Sequence, residues 1–307
     1  MKVNSWKEGN KMAFVKAKKE KVWTKVLLGG SSGSGKTYSA LRLATGLANK
    51  AGGTGIAAID TEAGRIRYYA NTFEFDDQKL EEPFTPEKYI TAIQEAVDAG
   101  YKVLIIDSIS HEWNYCVDIH DKMPGNSWTN WGKVTPRHDA FMEKMLQAPI
   151  HIIATVRGKD EYVLEEKNGK QTPKKVGLGY KQRDGIEYNY TATFNIAQDT
   201  HIAEATKDNT HIFEGRYEVL TEKDGEALFN WANDGDTPIV ITQEQYTEVR
   251  NDIINLAKSL GGSQDTAVCN LCNTIIGSLN PNNCNDINAL NQLRTALTSE
   301  LSGRGGK

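Results

Sequence analysis

The sequence predicts an α/β fold with a mostly parallel central sheet, β-hairpin extensions and a small helical module at the C-terminal end. Three observations predict it. Short, almost continuously apolar runs recur at 25–28, 56–59, 103–106 and 150–156, with helix-like stretches between them. A strand without apolar–polar alternation is buried on both faces, as in a parallel sheet with helices above and below. Asn168-Gly169 separates two strand-like segments, 161–165 and 171–176, and is a strong hairpin turn. From residue 242 onward, Val249, Ile253, Leu256 and Leu260 fall at helical spacing.

Each element follows from local chemistry. Lys25-Val26-Leu27-Leu28 reads as a first strand and 38–44 as the first helix. Residues 55–60 form a small apolar strand ending in Asp60. Thr85 and Pro86 open an amphipathic helix that runs to residue 99, with Thr85 as the cap, and Gly100 ends it. Residues 103–107 are an apolar strand ending in Asp107, 136–147 a helix with Pro136 first, and 150–156 a further buried strand. Beyond the hairpin, strands are expected at about 190–197, 201–206 and 211–219. Gly235-Asp236-Thr237-Pro238 reads as a linker, and Thr242 with Gln245 as a capping-box start. The domain organisation that follows is a lysine-rich extension (1–22), a core (23–234) and a helical domain (239–307).

Composition narrows the class. The chain has 307 residues and a net charge of −4, so it is not a polycation, and nucleic-acid binding must come from local patches. Two exist: a lysine-rich stretch over 2–25, and the run 167–183, which holds Lys167, Lys170, Lys174, Lys175, Lys181 and Arg183 without an acid. No apolar run reaches membrane-spanning length, and no secretory signal pattern is present. The four cysteines make no secreted disulfide framework, and a reducing cytoplasm is expected. Cys269, Cys272 and Cys284 fall short of the four N/S ligands of structural zinc, so they read as small buried residues on helices.

The chemistry is concentrated in residues 30–37, Gly30-Ser31-Ser32-Gly33-Ser34-Gly35-Lys36-Thr37. This is a complete G-x-x-x-x-G-K-[ST] phosphate-binding loop set between a strand and a helix. Its backbone N–H groups cradle phosphate oxygens, Lys36 reaches the β/γ-phosphates, and the Thr37 hydroxyl meets Mg²⁺. Tyr38 follows the loop and is counted with the nucleotide site. Asp107, at its strand end, is the second acid expected of an ATP–Mg²⁺ site. Glu62 lies just past another strand end, where it can activate the attacking water. Glu112, five residues after Asp107, is the competitor, and Glu62 is favoured. Thr155 and Arg157 close the strand at 150–156, where a polar residue can sense the γ-phosphate.

Ile59-Asp60-Thr61-Glu62 and Leu104-Ile105-Ile106-Asp107-Ser108 resemble the corresponding strands of the RecA-type ATPases. More closely, the chain resembles the phage-encoded RecA-like P-loop (AAA-type) ATPases that act as ATP-dependent single-strand annealing recombinases. The segments that carry the likeness are Gly-Ser-Gly-Lys-Thr-Tyr-Ser-Ala-Leu at 33–41, Ile-Asp-Ser-Ile-Ser-His-Glu-Trp at 106–113 and Trp-Gly-Lys-Val-Thr-Pro-Arg-His at 131–138. Ile-Ala-Thr-Val-Arg at 153–157 and Gln-Arg-Asp-Gly-Ile-Glu-Tyr at 182–188 complete it, and the resemblance spans about residues 14–232.

The resemblance implies a RecA-like P-loop NTPase fold, ATP and Mg²⁺ as cofactors, and a ring or filament of identical subunits with ATP between them. It implies that a basic residue from the neighbour completes each site. Lys207, in Ala205-Thr206-Lys207-Asp208-Asn209, resembles the strand lysine of the family, although Asn209 stands where a second basic residue is usual. Arg183 is the other candidate. The expected partner is single-stranded DNA, met by loops at 123–135 and 158–182 that carry Trp128, Trp131, Lys133 and the basic run. Cations tracking phosphates and aromatics stacking on bases are the physics of single-strand binding. A single-strand binding protein is a further implied partner, and the cytoplasm of a bacterial host cell the implied location. Two other readings stay open: a replication motor or helicase loader, and a nucleotide-switched interaction module with little turnover.

Overall fold

Strand β1 (Lys25–Gly30) lies between two parallel partners, and everything in the core is placed relative to it. The computed structural model describes residues 16–52, 55–167, 170–237 and 243–305; the side chains at 160–178, 243, 288 and 305 lie outside that description. The chain divides into two units between Asp236 and Thr237.

In the first unit, α1 (Lys36–Ala51), β2 (Ile56–Asp60), β3 (Asp76–Lys79), α2 (Pro86–Asp98), β4 (Val103–Asp107), α3 (Ser110–Lys122) and α4 (Ser127–Gln147) follow β1. Then come β5 (His151–Lys167), β6 (Lys170–Tyr180), β7 (Ala192–Ile196), β8 (Ala203–Asp208), β9 (Tyr217–Glu218) and α5 (Glu222–Asn233). The sheet order is β3-β2-β4-β5-β1-β7-β8-β9, with β6 paired to β5. Strands β3 to β7 along this path are parallel, and β6, β8 and β9 join antiparallel. The fold is an α/β fold with a mostly parallel sheet.

Neighbouring residues of the buried strands feed opposite faces. Val26 and Leu28 pack with Leu41, Leu47 and Leu228, whereas Leu27 packs with Tyr89, Ile93, Phe141 and Met145. Each such fully buried side chain stabilises the fold by about 1.5–3 kcal/mol. Helices α1 and α5 approach at backbone contact. A Cβ at Gly46 would lie 1.9 Å from the Glu222 carbonyl oxygen, and one at Gly225 2.2 Å from that of Leu43.

Several elements differ from the sequence reading. Strand β5 is continuous over 17 residues, where two strands were expected. Its first half is parallel to β1 and β4, and its second half is one arm of the hairpin. The helix expected at 136–147 begins at Ser127, with Pro136 in its interior. Asn126 caps it by accepting from the Trp128 and Thr129 N–H groups (2.9 and 3.4 Å), and the buried stripe Val134, His138, Phe141, Met145 outweighs the roughly 3 kcal/mol proline cost. The DNA loop expected at 123–135 is therefore mostly helix. The strand expected at 211–219 shrinks to Tyr217–Glu218. Asp208 ties this segment into turns, accepting from Thr210 (N–H, 2.8 Å) and Phe213 (N–H, 2.8 Å). Residues 1–15 of the lysine-rich extension, the hairpin turn Asn168-Gly169 and Thr242 lie outside the described residues. Lys21 and Val22 donate backbone N–H groups to Asp236 and Ala232, so this part of the extension joins the core.

The second unit holds α6 (Gln243–Ser259), α7 (Thr266–Ile276) and α8 (Ile287–Gly305). Val249, Ile253, Leu260, Cys272, Cys284, Leu290, Leu293 and Leu297 form its core, and Cys269 is half-buried. Among the described residues no helix is long and apolar enough to cross a membrane.

Candidate active site

The site assembles where four adjacent parallel strands, β2, β4, β5 and β1, end. Ligands of open α/β sheets meet at such carboxyl ends. The loop after β1 turns through Gly33 (φ 79°) and Gly35 (φ 89°), and Gly35 opens α1. That left-handed backbone is reserved largely for glycine. Gly30 has no room for a side chain, because a Cβ would lie 2.4 Å from the Ser34 hydroxyl. The Ser34 hydroxyl is itself buried without a partner among the described residues. Lys36 arches over the loop and donates from Nζ to the Gly30 and Ser31 carbonyls (2.9 and 2.7 Å). Burial lowers its pKa, and Asp107 and Glu62 offset part of that effect. Ser31 donates to Gln198 Oε1 (3.2 Å), Ser32 is exposed, and Tyr38 is half exposed and edge-on to Tyr69 and Phe73.

Asp107 is buried at the centre. Thr37 Oγ1 donates to its Oδ2 at 2.6 Å and Thr155 Oγ1 to its Oδ1 at 2.5 Å. Sheet order explains this convergence: β5 sits between the loop strand and the acid strand, so Thr155 reaches Asp107 sideways. Burial raises the Asp107 pKa, and the two hydroxyls hold it back. Two hard oxygen donors side by side fit Mg²⁺, with Thr37 and Asp107 as the residues that would hold it. Thr155, expected to sense a γ-phosphate, is engaged with the acid.

Glu62 stands at the rim. Its N–H donates to Asp60 Oδ1 (2.7 Å), which fixes the turn out of β2. Its carboxylate receives Arg157 in a two-pronged pair, Nε to Oε1 at 2.9 Å and Nη2 to Oε2 at 2.5 Å, and Ser108 Oγ donates to Oε1 at 3.2 Å. Burial alone would raise the Glu62 pKa, but Arg157, with help from His111 and Ser108, brings it below the usual value. Thr61 locks the two strand ends together: its N–H reaches the Asp107 carbonyl, and its hydroxyl lies 2.8 Å from His111 Nδ1. Glu112, the competitor, is fully buried and faces His138 Nδ1 (3.0 Å) and the Cys116 thiol (3.1 Å). A base must reach the water it deprotonates, so Glu62 has the suitable position.

Beyond this cluster the candidates disperse. Arg183 pairs with Asp139 on α4 (2.7 Å), and Lys207 donates to the Tyr188 carbonyl (2.6 Å). Among the described contacts neither reaches the loop of its own chain. Trp128 is 87% exposed, whereas Trp131 is stacked between His120 and Trp113 with centroids at 4.1 and 5.6 Å. Lys133 and Lys181 are exposed. The side chains of Lys167, Lys170, Lys174 and Lys175 lie outside the described residues, but the register is described. It sets Lys174 opposite Val163 and Lys175 opposite Tyr162, and the β5 arm also carries Asp160, Glu161, Glu165 and Glu166. The acid-free run is thus paired with an acidic strand.

Thr61, His111, Gln198 and His201 were not singled out from the sequence. Thr61, between Asp60 and Glu62, lies inside the recognised motif and could have been weighed. Nothing local marks Gln198 or His201, which follow β7 and meet the loop because β7 pairs in parallel with β1.

The AAA domain family matches residues 23–223, and the chain belongs to that family. Its fold is similar to that of a KaiC-like protein from the hyperthermophilic archaeon Pyrococcus horikoshii OT3, at 17% identity and a TM-score of 0.37 over 64% of this chain and 82% of that one. It is also similar to the genome packaging NTPase of Sulfolobus turreted icosahedral virus 2, at 15% identity and a TM-score of 0.33 over 56% of this chain and 74% of that one. No curated protein matches the sequence.

Proposed function

We propose that this AAA domain protein is an ATP-dependent, DNA-binding recombination ATPase of phage type, which promotes single-strand annealing and works as a ring or filament of its own copies. In this reading Lys36 and the loop N–H groups hold the phosphates, and Thr37 and Asp107 hold Mg²⁺. Bound there, Mg²⁺ would neutralise phosphate charge. Glu62 accepts the proton of the attacking water, for which it must leave Arg157. Arg183 or Lys207 is supplied to a neighbour's site.

One observation supports the link between DNA and hydrolysis. Strand β5 carries Thr155 at the acid and Arg157 at Glu62, then continues unbroken into the hairpin arm. A strand held at its far end by DNA is mechanically tied to the pair that restrains the base. The experiment is fluorescence anisotropy of a labelled oligo-dT, with and without ATP in low salt, alongside steady-state ATPase. Binding that responds to ATP and a rate that rises with DNA are expected, with Glu62→Gln abolishing turnover while leaving nucleotide binding intact. DNA binding indifferent to ATP would overturn the proposal.

A helicase-loader reading is favoured by the acidic β5 arm, which offsets the lysines of β6 and suits a protein partner. Stable capture of a helicase with weak DNA binding would support that alternative.

A further inference from the structure

The β7–β8 connection, residues 197–202, lies against the phosphate-binding loop on the side of β1 away from Asp107 and Glu62. It and the end of β7 before it touch the loop at three places. The Ile196 carbonyl backs Gly30, where a Cβ would come within 2.9 Å of it. Gln198 Oε1 accepts the Ser31 hydroxyl at 3.2 Å. His201 Nδ1 lies 3.0 Å from the Ser34 carbonyl oxygen, and its ring packs on Gly35, where a Cβ would be 3.2 Å from Nδ1. A carbonyl oxygen only accepts, so Nδ1 carries the proton.

The connection is built to hold that ring still. His201 adopts φ 57°, uncommon for a residue with a side chain. Its N–H donates to the Ala197 carbonyl (3.1 Å), and the Ala197 N–H donates to the Ile202 carbonyl (2.9 Å), closing a tight turn. A peptide unit is planar, with its C=O and N–H on opposite edges. Holding the Ser34 oxygen toward His201 therefore turns the Gly35 N–H to the other edge, into the loop.

We infer that the β7–β8 connection braces the phosphate-binding loop, with His201 as the positioning residue that sets the Ser34–Gly35 peptide for a phosphate oxygen. This rests on the reading of residues 30–37 as an ATP site.

The test is His201→Gly, which keeps the left-handed backbone without strain and removes the ring. Binding of a fluorescent ADP analogue and steady-state ATPase are measured for the wild type and the variant, with thermal unfolding as a check on folding. The variant should bind the analogue about five- to tenfold more weakly, the worth of one hydrogen bond. KM for ATP should rise by a similar factor while kcat stays within about twofold, as for an interaction shared by ground and transition states. Added imidazole should restore binding in His201→Gly and leave the wild type unchanged, which a purely structural role would not produce. Gln198→Ala should weaken binding by a smaller factor. Wild-type affinity in a folded His201→Gly, or weakened affinity that imidazole does not restore, overturns the inference while leaving the ATP site in place. No nucleotide binding by the wild type overturns the site itself and this role of His201 with it.

Discussion

Replacing Thr155 by Val tests the centre of the site with almost no change of shape. The Thr155 hydroxyl is fully buried and donates to Asp107 Oδ1 at 2.5 Å; among the described residues the other hydroxyl on that carboxylate is Thr37, at 2.6 Å. Valine puts a methyl where the hydroxyl was, so a buried carboxylate loses one of two donors and no cavity opens. A hydrogen bond to a charged group is worth about 1.5–3 kcal/mol, and the loss corresponds to roughly one to two powers of ten in any equilibrium that needs the carboxylate ionised and aimed. Half-saturation of ATPase by Mg²⁺ should therefore rise at least about tenfold, and unfolding by urea without Mg²⁺ should show a loss of about 1–3 kcal/mol. Thr155→Ser, which restores the donor, should return both within about twofold. If Thr155→Val left the Mg²⁺ requirement untouched and lowered only kcat, the hydroxyl would be acting on the phosphate, and the assignment to Asp107 would be refuted.

Other expectations can be checked on the same preparation. Arg157→Gln frees the Glu62 carboxylate from its two-pronged pair and should raise the DNA-independent ATPase rate about tenfold, the scale of one charge-assisted hydrogen bond; a rate that falls as far as in Glu62→Gln would show that Arg157 serves catalysis directly. Gly46→Ala drives a Cβ into the Glu222 carbonyl and should cost about 3 kcal/mol in thermal unfolding, whereas Gly132→Ala on α4, where a Cβ meets nothing within 4 Å, should stabilise by about 0.5–1 kcal/mol. His151 is held near pKa 4 rather than 6.5 by burial and then by the Lys25 charge, and its Nδ1 accepts the Thr24 N–H at 3.1 Å. Between those values the unfolded chain binds the proton and the folded one does not, so stability present above pH 6.5 should drain away toward pH 4, by about 3 kcal/mol in all. His151→Gln should flatten that slope in urea midpoints taken across the window, and an unchanged slope would point to another group.

The parts of the site that are local in the chain were legible in the sequence. The glycine pattern at 30–37 needs only adjacent residues, and Asp60, Glu62 and Asp107 announce themselves by following apolar runs. What was illegible depends on partners far away in sequence. Strand β3, Asp76-Asp77-Gln78-Lys79, has no apolar signal at all and is a strand because β2 offers it a parallel edge. Gly158 and Lys159 look like a break, yet β5 runs through them because β6 pairs with that half of the strand. Glu112 carries the same local signature as a strand-end acid, and only the packing of α4 against α3, which delivers His138, takes it out of reach of water.

The same distinction bears on how the site works. The loop and the two acids fix where phosphate and Mg²⁺ would lie, and those residues are rigidly seated: Asp107 by two hydroxyls, Thr61 by both strand ends, Lys36 by the loop's own carbonyls. Glu62 differs. Its partner Arg157 is 38% exposed on its side chain and sits where β5 leaves the sheet for the hairpin, while Glu62 itself is only 14% exposed. The carboxylate proposed as the base is held by an arginine at the point where β5 passes from the parallel sheet into the hairpin. In the proposed reaction, release of Glu62 from Arg157 depends on the course of β5 beyond the sheet, so a ligand held by the hairpin would act on the rate through this pair.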